Sequence, residues 1–330
     1  MSVYLTVAIL TLIVGIVCGV LLHKYQMRFR KYLTVVYHYL LPRQAKTYGP
    51  YAIGIYEGLT PFDLSSPKEI ANPVLTGADV VDIDARFVAD PFIVCKDGGY
   101  TMFFEVMNRR SNQGDIGYAE SSDGRHWKYK KIVIHEKFHL SYPYVFEWNN
   151  DYFMIPESCN DLSVRLYKAK SFPTDWQYIG NILSGYPFVD ASIFRYQDKW
   201  WLFVSTPESD SLNLYYSNEL MSGWTPHPMN PIVKYNKHTA RPGGRVVTFG
   251  GKTYRLTQDD FPTYGIQVFA FEITELSKET YMEKLVMEAP VVAGSGHGWN
   301  AKGMHHVDLH KIGGKFIAAV DGESRKWKFR

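Results

Sequence analysis

Five stretches of this chain align with one another without a gap: ADPFIVCKDGGYTMFFE (89–105), SYPYVFEWNNDYFMIPE (141–157), VDASIFRYQDKWWLFVS (189–205), PGGRVVTFGGKTYRLTQ (242–258) and HHVDLHKIGGKFIAAVD (305–321). Each reads as an apolar strand, a tight turn rich in Gly, Asp or Asn, and a returning aromatic strand. A repeat of about 40 to 60 residues with strand-like content predicts the blades of a β-propeller. A sandwich has no reason to hold one hairpin register five times. Four of the hairpins are followed by a third strand with its turn, at 116–127, 164–176, 212–224 and 266–277, and the fifth is not. Near the start, IGIYEGLTPFDL (53–64) has the same third-strand pattern. The expected fold is therefore all-β: a five-bladed propeller over residues 49–330, closed into a ring by its own N-terminal strand. Such closure removes the open edge that would otherwise template aggregation. The 24 Tyr, 19 Phe and 8 Trp agree with strands, because flat rings pack well on pleated surfaces.

Ahead of the repeat, residues 3–22 carry no charge, and a helix of that length crosses a hydrocarbon core of about 30 Å. The opening MSVY lacks the basic n-region of a cleaved signal peptide. Residues 1–24 are thus expected to form a single transmembrane anchor, and 25–48 a juxtamembrane linker. His23, Lys24, Arg28, Arg30 and Lys31 follow the apolar run, which places the propeller on the cytoplasmic side by the positive-inside rule. Of three cysteines, Cys18 lies in the apolar run, and Cys95 and Cys159 stand at no metal-ligand spacing. Neither a disulfide framework nor a structural zinc is expected, and no cofactor. The formal charge of +3, with no long basic block outside the anchor region, does not suggest nucleic acid.

In each hairpin the first strand starts, and the second ends, at one face of the axis. The strand-start position holds Asp90, Tyr142, Asp190, Gly243 and His306; the second-strand end holds Glu105, Glu157, Ser205, Gln258 and Asp321. Carboxylates from several blades facing one pocket repel one another and separate acid from base roles, the arrangement that glycoside cleavage needs. On position, Asp90 is the base or nucleophile, Asp190 the carboxylate that orients it or sets its pKa, and Glu157 the acid, with Glu105 behind it. The bland readings are a turn cap for Asp90, a rim pair with Arg109 or Arg110 for Glu105, and a rim charge for Glu157. Of His305 and His306, strand alternation lets one face the axis, and His306 is favoured; no metal is expected. Arg241 and Arg245 flank Pro242, Gly243 and Gly244 and suit a planar anionic group, unless the Gly pair is a packing bulge. Tyr142, Gln258 and Asp321 complete the polar ring. Trp127, Trp176 and Trp224 recur at one repeat position and read as blade packing, whereas His297 and Trp299, in the Gly-rich loop 294–303, are candidates for ligand contact.

GIYEG (54–58), NPVLT (72–76), FVADPF (87–92), MIPES (154–158), FVDAS (188–192) and RPGG (241–244), in this order, resemble the N-terminal propeller domain of plant glucosamine inositolphosphorylceramide transferases and related bacterial proteins. More distantly the chain looks like the propellers of glycoside hydrolase family 43, where an Asp of the first blade is the base and an Asp of the third sets pKa; Asp90 and Asp190 match these. The resemblance implies a glycan or glycolipid ligand and a membrane-bound glycan-assembly setting, with a glycosyltransferase as a possible partner. The acid Glu of family 43 has no match in the fourth blade, which offers RPGG and Gln258, and this chain ends with the propeller. Cleavage or transfer of a glycosyl group and non-catalytic sugar or sugar-phosphate binding are the two functional expectations.

Overall fold

In the computed structural model, residues 50–324 are described. The expected anchor over 1–24 and the whole of the linker over 25–48 lie outside the described residues. Among the described residues no helix is long and apolar enough to cross a membrane.

All five hairpins form with two-residue turns, at Asp97-Gly98, Asn149-Asn150, Gln197-Asp198, Gly250-Gly251 and Gly313-Gly314. Both residues of every turn have positive φ, the left-handed geometry whose twist matches that of the flanking strands and that Gly, Asn and Asp adopt most readily. Blade one runs through Ala85–Lys96, Gly99–Asn108, Gln113–Ser121 and Lys128–Ile134. Blade two runs through Ser141–Trp148, Asp151–Ser158, Ser163–Ser171 and Asp175–Ser184, and blade three through Val189–Tyr196, Lys199–Ser205, Leu212–Ser217 and Thr225–Pro226. In blade four the inner strand is split into Arg241–Pro242 and Val247–Phe249, followed by Lys252–Asp259, Gln267–Leu276 and Tyr281–Leu285, with Val292–Ala293 on the far end. Blade five is Val307–Ile312 and Lys315–Glu323, completed by Tyr51–Gly58.

The closing strand pairs antiparallel from Tyr51↔Glu323 to Gly58↔Phe316, and Ser324 N donates to the Pro50 carbonyl. It stops at Gly58, short of the expected 64. The sequence pattern also misses the fourth strand of blades one to four. These outer strands are largely exposed, as in Asp175–Ser184, so little apolar alternation marks them. The apolar cores lie between neighbouring sheets. Ile53, Ile55 and Ile317 pack with Val88 and Ile93, Phe92 and Tyr144 pack within the cluster shared by blades one to three, and Val247 and Leu256 pack with Val307 and Phe316.

The start of the inner strand repeats one distortion. The ladder slips between Ala89 and Phe92, between Ser141 and Tyr144, and between Val189 and Ser192. Asp90, Tyr142 and Asp190, inside those slips, have φ of 54°, 45° and 47°. A non-glycine residue held there stores about 1–3 kcal/mol, and a bulge of this kind re-aims the side chain and backbone N–H at the end of a strand. In blade four, Gly244 has φ 141° and lies so close to blade five that a Cβ would strike the Val307 carbonyl.

A carboxylate-lined site at one end of the axis

The three bulges connect the blades around the axis. Asp90 N donates to Asp321 Oδ2 at 3.0 Å, Tyr142 N to Asp90 Oδ2 at 3.2 Å, and Asp190 N to Glu157 Oε2 at 3.3 Å. Each freed amide thus meets a carboxylate of the preceding blade. Blade four closes on blade three through Arg241, whose Nε reaches Asp190 Oδ2 at 2.6 Å and Nη2 Glu157 Oε2 at 3.4 Å, and through Gln258 Nε2, 2.7 Å from Asp190 Oδ2. On the blade-five side, His305 stands between two carboxylates, Nε2 3.2 Å from Asp90 Oδ1 and Nδ1 2.9 Å from Asp321 Oδ1.

These contacts separate the carboxyl groups. Burial alone would raise Asp90, but His305, with help from His306 and the Tyr142 amide, holds it down at about 2. Burial pushes Glu105 well above the usual carboxylate range, and the charges of Asp90 and Glu157 add to this. Asp190 is raised to about 7 by burial, against the pull of Arg241 and with the charges of Glu157 and Asp90. His305 moves far up: burial opposes its charge, but Asp321 and Asp90 outweigh it. Burial and neighbouring charges therefore push the carboxyl groups of one buried cluster in opposite directions.

Glu105 does not pair with Arg109, which contacts Asp84. Its nearest cation-capable neighbour is His139, with Nε2 3.6 Å from Oε1, and Oε1 is buried without a hydrogen-bond partner. Gly114 N donates to His139 Nδ1 at 2.8 Å, which leaves the proton of a neutral ring on Nε2, facing Glu105. Burial keeps that ring neutral by lowering its pKa. Glu157, first choice for the acid from its position, has both oxygens engaged. Oε2 accepts from Asp190 N and Arg241, and Oε1 from Cys159 Sγ at 3.3 Å. Of the two glutamates, Glu105 is the one that keeps a buried oxygen free of a protein hydrogen bond.

Four expectations need correction. His306 is not the histidine of the site: it is fully buried beneath it, Nε2 donating to the Pro91 carbonyl at 2.9 Å and its ring packed on Phe92 and Tyr142. Residues 305 and 306 precede the strand that starts at Val307, so strand alternation does not govern them and both point inward. The Tyr142 ring also lies below the site, its hydroxyl bound to Ser192 and to the Gly244 backbone, and only its amide reaches Asp90. Arg245 stands on the far side of the Gly pair from Arg241 and binds Asp308 Oδ1 at 2.8 Å and the Val145 carbonyl at 3.0 Å. The ring of Trp299 lies where a Cβ on Gly54 or Gly322 would be, so it packs the closing strand of blade five. His297, by contrast, stays exposed on its loop, with its ring held against the Ser295 carbonyl.

Asp321, fully buried, accepts from three backbone amides, those of Asp90, His305 and His306. Atoms of Asp90, His305 and Asp321 lie within 4.8 Å of one another, a spacing a metal could bridge; the same two carboxylates push the His305 pKa up and so favour a charged ring there. Besides His305 and His139, the repeat alignment misses Tyr264, whose ring lies 5.1 Å from the Arg241 guanidinium and 5.2 Å from the His305 ring. Trp127, Trp176 and Trp224 do pack blades, each indole N–H tied to a carbonyl three or four residues earlier.

Residues 44–323 match the family described as "Glucosamine inositolphosphorylceramide transferase 1, N-terminal". The chain belongs to that family. Among its curated relatives, the glucosamine inositolphosphorylceramide transferase 1 of Oryza sativa subsp. japonica is 36% identical over 299 residues, and that of Arabidopsis thaliana 33%. Each match takes in 83% of this chain but only 40% and 39% of the relative, so the chain spans about two-fifths of the length of these transferases. Among solved structures, an exo-β-1,3-galactanase from Clostridium thermocellum shares the fold with a TM-score of 0.53 at 13% identity, covering 64% of this chain and 51% of that one. The Bombyx mori β-fructofuranosidase BmSUC1 does so with 0.51 at 16% identity, covering 71% and 59%. The glucosamine inositolphosphorylceramide transferase N-terminal family thus has a propeller fold also used by glycoside hydrolases.

Proposed function

We propose that the axial site cleaves or transfers a glycosyl group on a glycan or glycolipid. The observation that carries this reading is the opposite surroundings of two buried carboxyls at one end of the axis: Asp90 beside His305, which holds it down at about 2, and Glu105 with an oxygen left unpartnered, which burial holds well up. Asp90 serves as base or nucleophile because it stays ionised, and Glu105 keeps a proton for the leaving oxygen. Asp190, with Arg241, fixes the field between them. The family name points to a glycosylated inositolphosphorylceramide as the substrate class. In this reading the apolar residues 3–22 anchor the chain, the propeller is cytoplasmic, and a separate glycosyltransferase supplies or consumes the glycolipid.

A second reading, binding of a sugar or sugar phosphate without chemistry, draws on one observation: Asp90, Asp190 and Glu157 each already hold protein partners. A screen of the full chain against aryl-glycosides and inositolphosphorylceramide glycolipids, with Asp90→Asn and Glu105→Gln, separates the two. Turnover should fall by about 10²-fold or more in each variant if they are base and acid. Its alkaline limb should follow Glu105, since activity goes when that proton is lost. Binding without turnover, unchanged by either variant, would replace the enzymatic reading with recognition.

A further inference from the structure

The loops at the carboxylate end differ in chemistry from the turns at the other end. The five hairpin turns are built of Gly, Asp, Asn and Gln alone. At the site end, Tyr235 is 88% exposed, Phe261 53% and Tyr264 42%, and their loops touch. Asp260 N donates to the Lys237 carbonyl, and the Phe261 ring lies 5.2 Å from that of His238. Tyr264 carries the patch inward to Arg241 and His305 at the site. Lys234 and Lys237 flank Tyr235, both exposed and without an ion pair among the described residues; Glu208 is the exposed carboxylate on the adjoining loop.

The described chain also begins at this end. Pro50 and Tyr51 pair with the last residues of blade five, and the Tyr51 ring sits 4.9 Å from that of His305. The chain therefore enters the propeller on the site face.

We propose that the patch formed by Tyr235, Phe261 and Tyr264, with Lys234 and Lys237, rests on an anionic lipid bilayer and holds the mouth of the site in the headgroup layer. Amphipathic rings suit that interface, and lysines beside them gain from anionic headgroups within a Debye length of about 8 Å at physiological salt. Such docking presents a lipid-linked sugar to Asp90 and Glu105 without lifting the lipid out of the membrane. It deepens the glycolipid reading, but its test needs no turnover.

The full chain, reconstituted into phosphatidylcholine vesicles with and without phosphatidylserine, would carry a photoactivatable p-benzoylphenylalanine in place of Tyr235 or Phe261, or, as control, of Asn149 in a hairpin turn. We expect lipid adducts from the first two positions, several-fold above Asn149. Lys234→Glu with Lys237→Glu should lower the yield in phosphatidylserine vesicles only. Equal labelling at Asn149, adducts to protein alone, or a chain that does not float with the vesicles would each overturn the proposal. Absent glycan turnover alongside strong lipid adducts would sink the enzymatic reading and leave the docking intact.

Discussion

Asp308 and Glu105 are both buried carboxyl groups on the propeller axis, and their surroundings are opposites. Asp308 receives Arg245 Nε at 2.8 Å, His310 Nε2 at 2.9 Å and the Ile93 amide at 2.6 Å. Burial alone would raise it, yet Arg245 and His310 drive it well below the usual carboxylate range. Glu105 keeps an oxygen without a partner. So do Gln258 and Asp260, both at the site end of the axis, and His306 Nδ1, beneath the site, is likewise buried without a hydrogen bond. A fold can satisfy buried charge completely, as around Asp308. Among the described residues the oxygens left unsatisfied gather at the site end, which is what a site prepared for another molecule looks like.

Stability measurements can break this contrast most directly. Asp308→Ala leaves the Arg245 and His310 charges buried without their acceptor and should cost about 3–5 kcal/mol in denaturant unfolding. Glu105→Gln removes a carboxyl with one buried oxygen unsatisfied and should leave the midpoint unchanged or raise it, as function-bearing groups often do when neutralised. Equal losses in the two variants would end the comparison.

The pH dependence of unfolding sharpens it. His310 is raised to about 9, because Asp308 outweighs the burial that opposes its charge. Its contribution is fully present below the ordinary histidine value near 6.5 and is lost as pH rises through 9. His310→Asn should flatten that alkaline decline, on the order of 3 kcal/mol. Asp190 has the opposite origin: its pKa rises to about 7 because burial disfavours its charge. The folded state holds that proton more tightly than the unfolded one, so stability falls as pH climbs from about 4 to 7. Asp190→Asn should remove this second decline and leave the first.

Half of this contrast is legible in the sequence. The hairpins can be read because two-residue turns demand Gly, Asn or Asp, and an ungapped register shows the repeat. Asp90, Glu105, Asp190 and Gln258 can be read because they occupy repeat positions. His139, His305 and Tyr264 lie on connections between strands, where no periodicity constrains a side chain. The bulges are invisible for another reason: Asp90, Tyr142 and Asp190 hold positive φ without being glycine, so no residue type signals the distortion that aims them. Arg245 is misplaced for want of depth, since the alignment does not reveal how far down the axis a side chain points.

The smallest effect concerns the site mouth. Burial, with the nearby Glu157 charge, pushes the half-buried Cys159 thiol up to about 12. Iodoacetamide at neutral pH should therefore modify the exposed Cys95 first, and Glu157→Gln should speed Cys159 by a few-fold. Mass spectrometry of the labelled peptides measures both rates.

The pairing of Tyr51–Gly58 with Lys315–Glu323 means that the two ends of the described chain meet within a single sheet. Such a ring can be circularly permuted: joining Ser324 to Pro50 and opening a junction between two other blades, for example at Gly185, would keep every strand neighbour while giving the chain new termini. In the native order, ring closure and attachment to the preceding segment use the same strand. A pull on that segment would load the seam of the propeller first, whereas in the permuted chain the same pull would fall on a different joint.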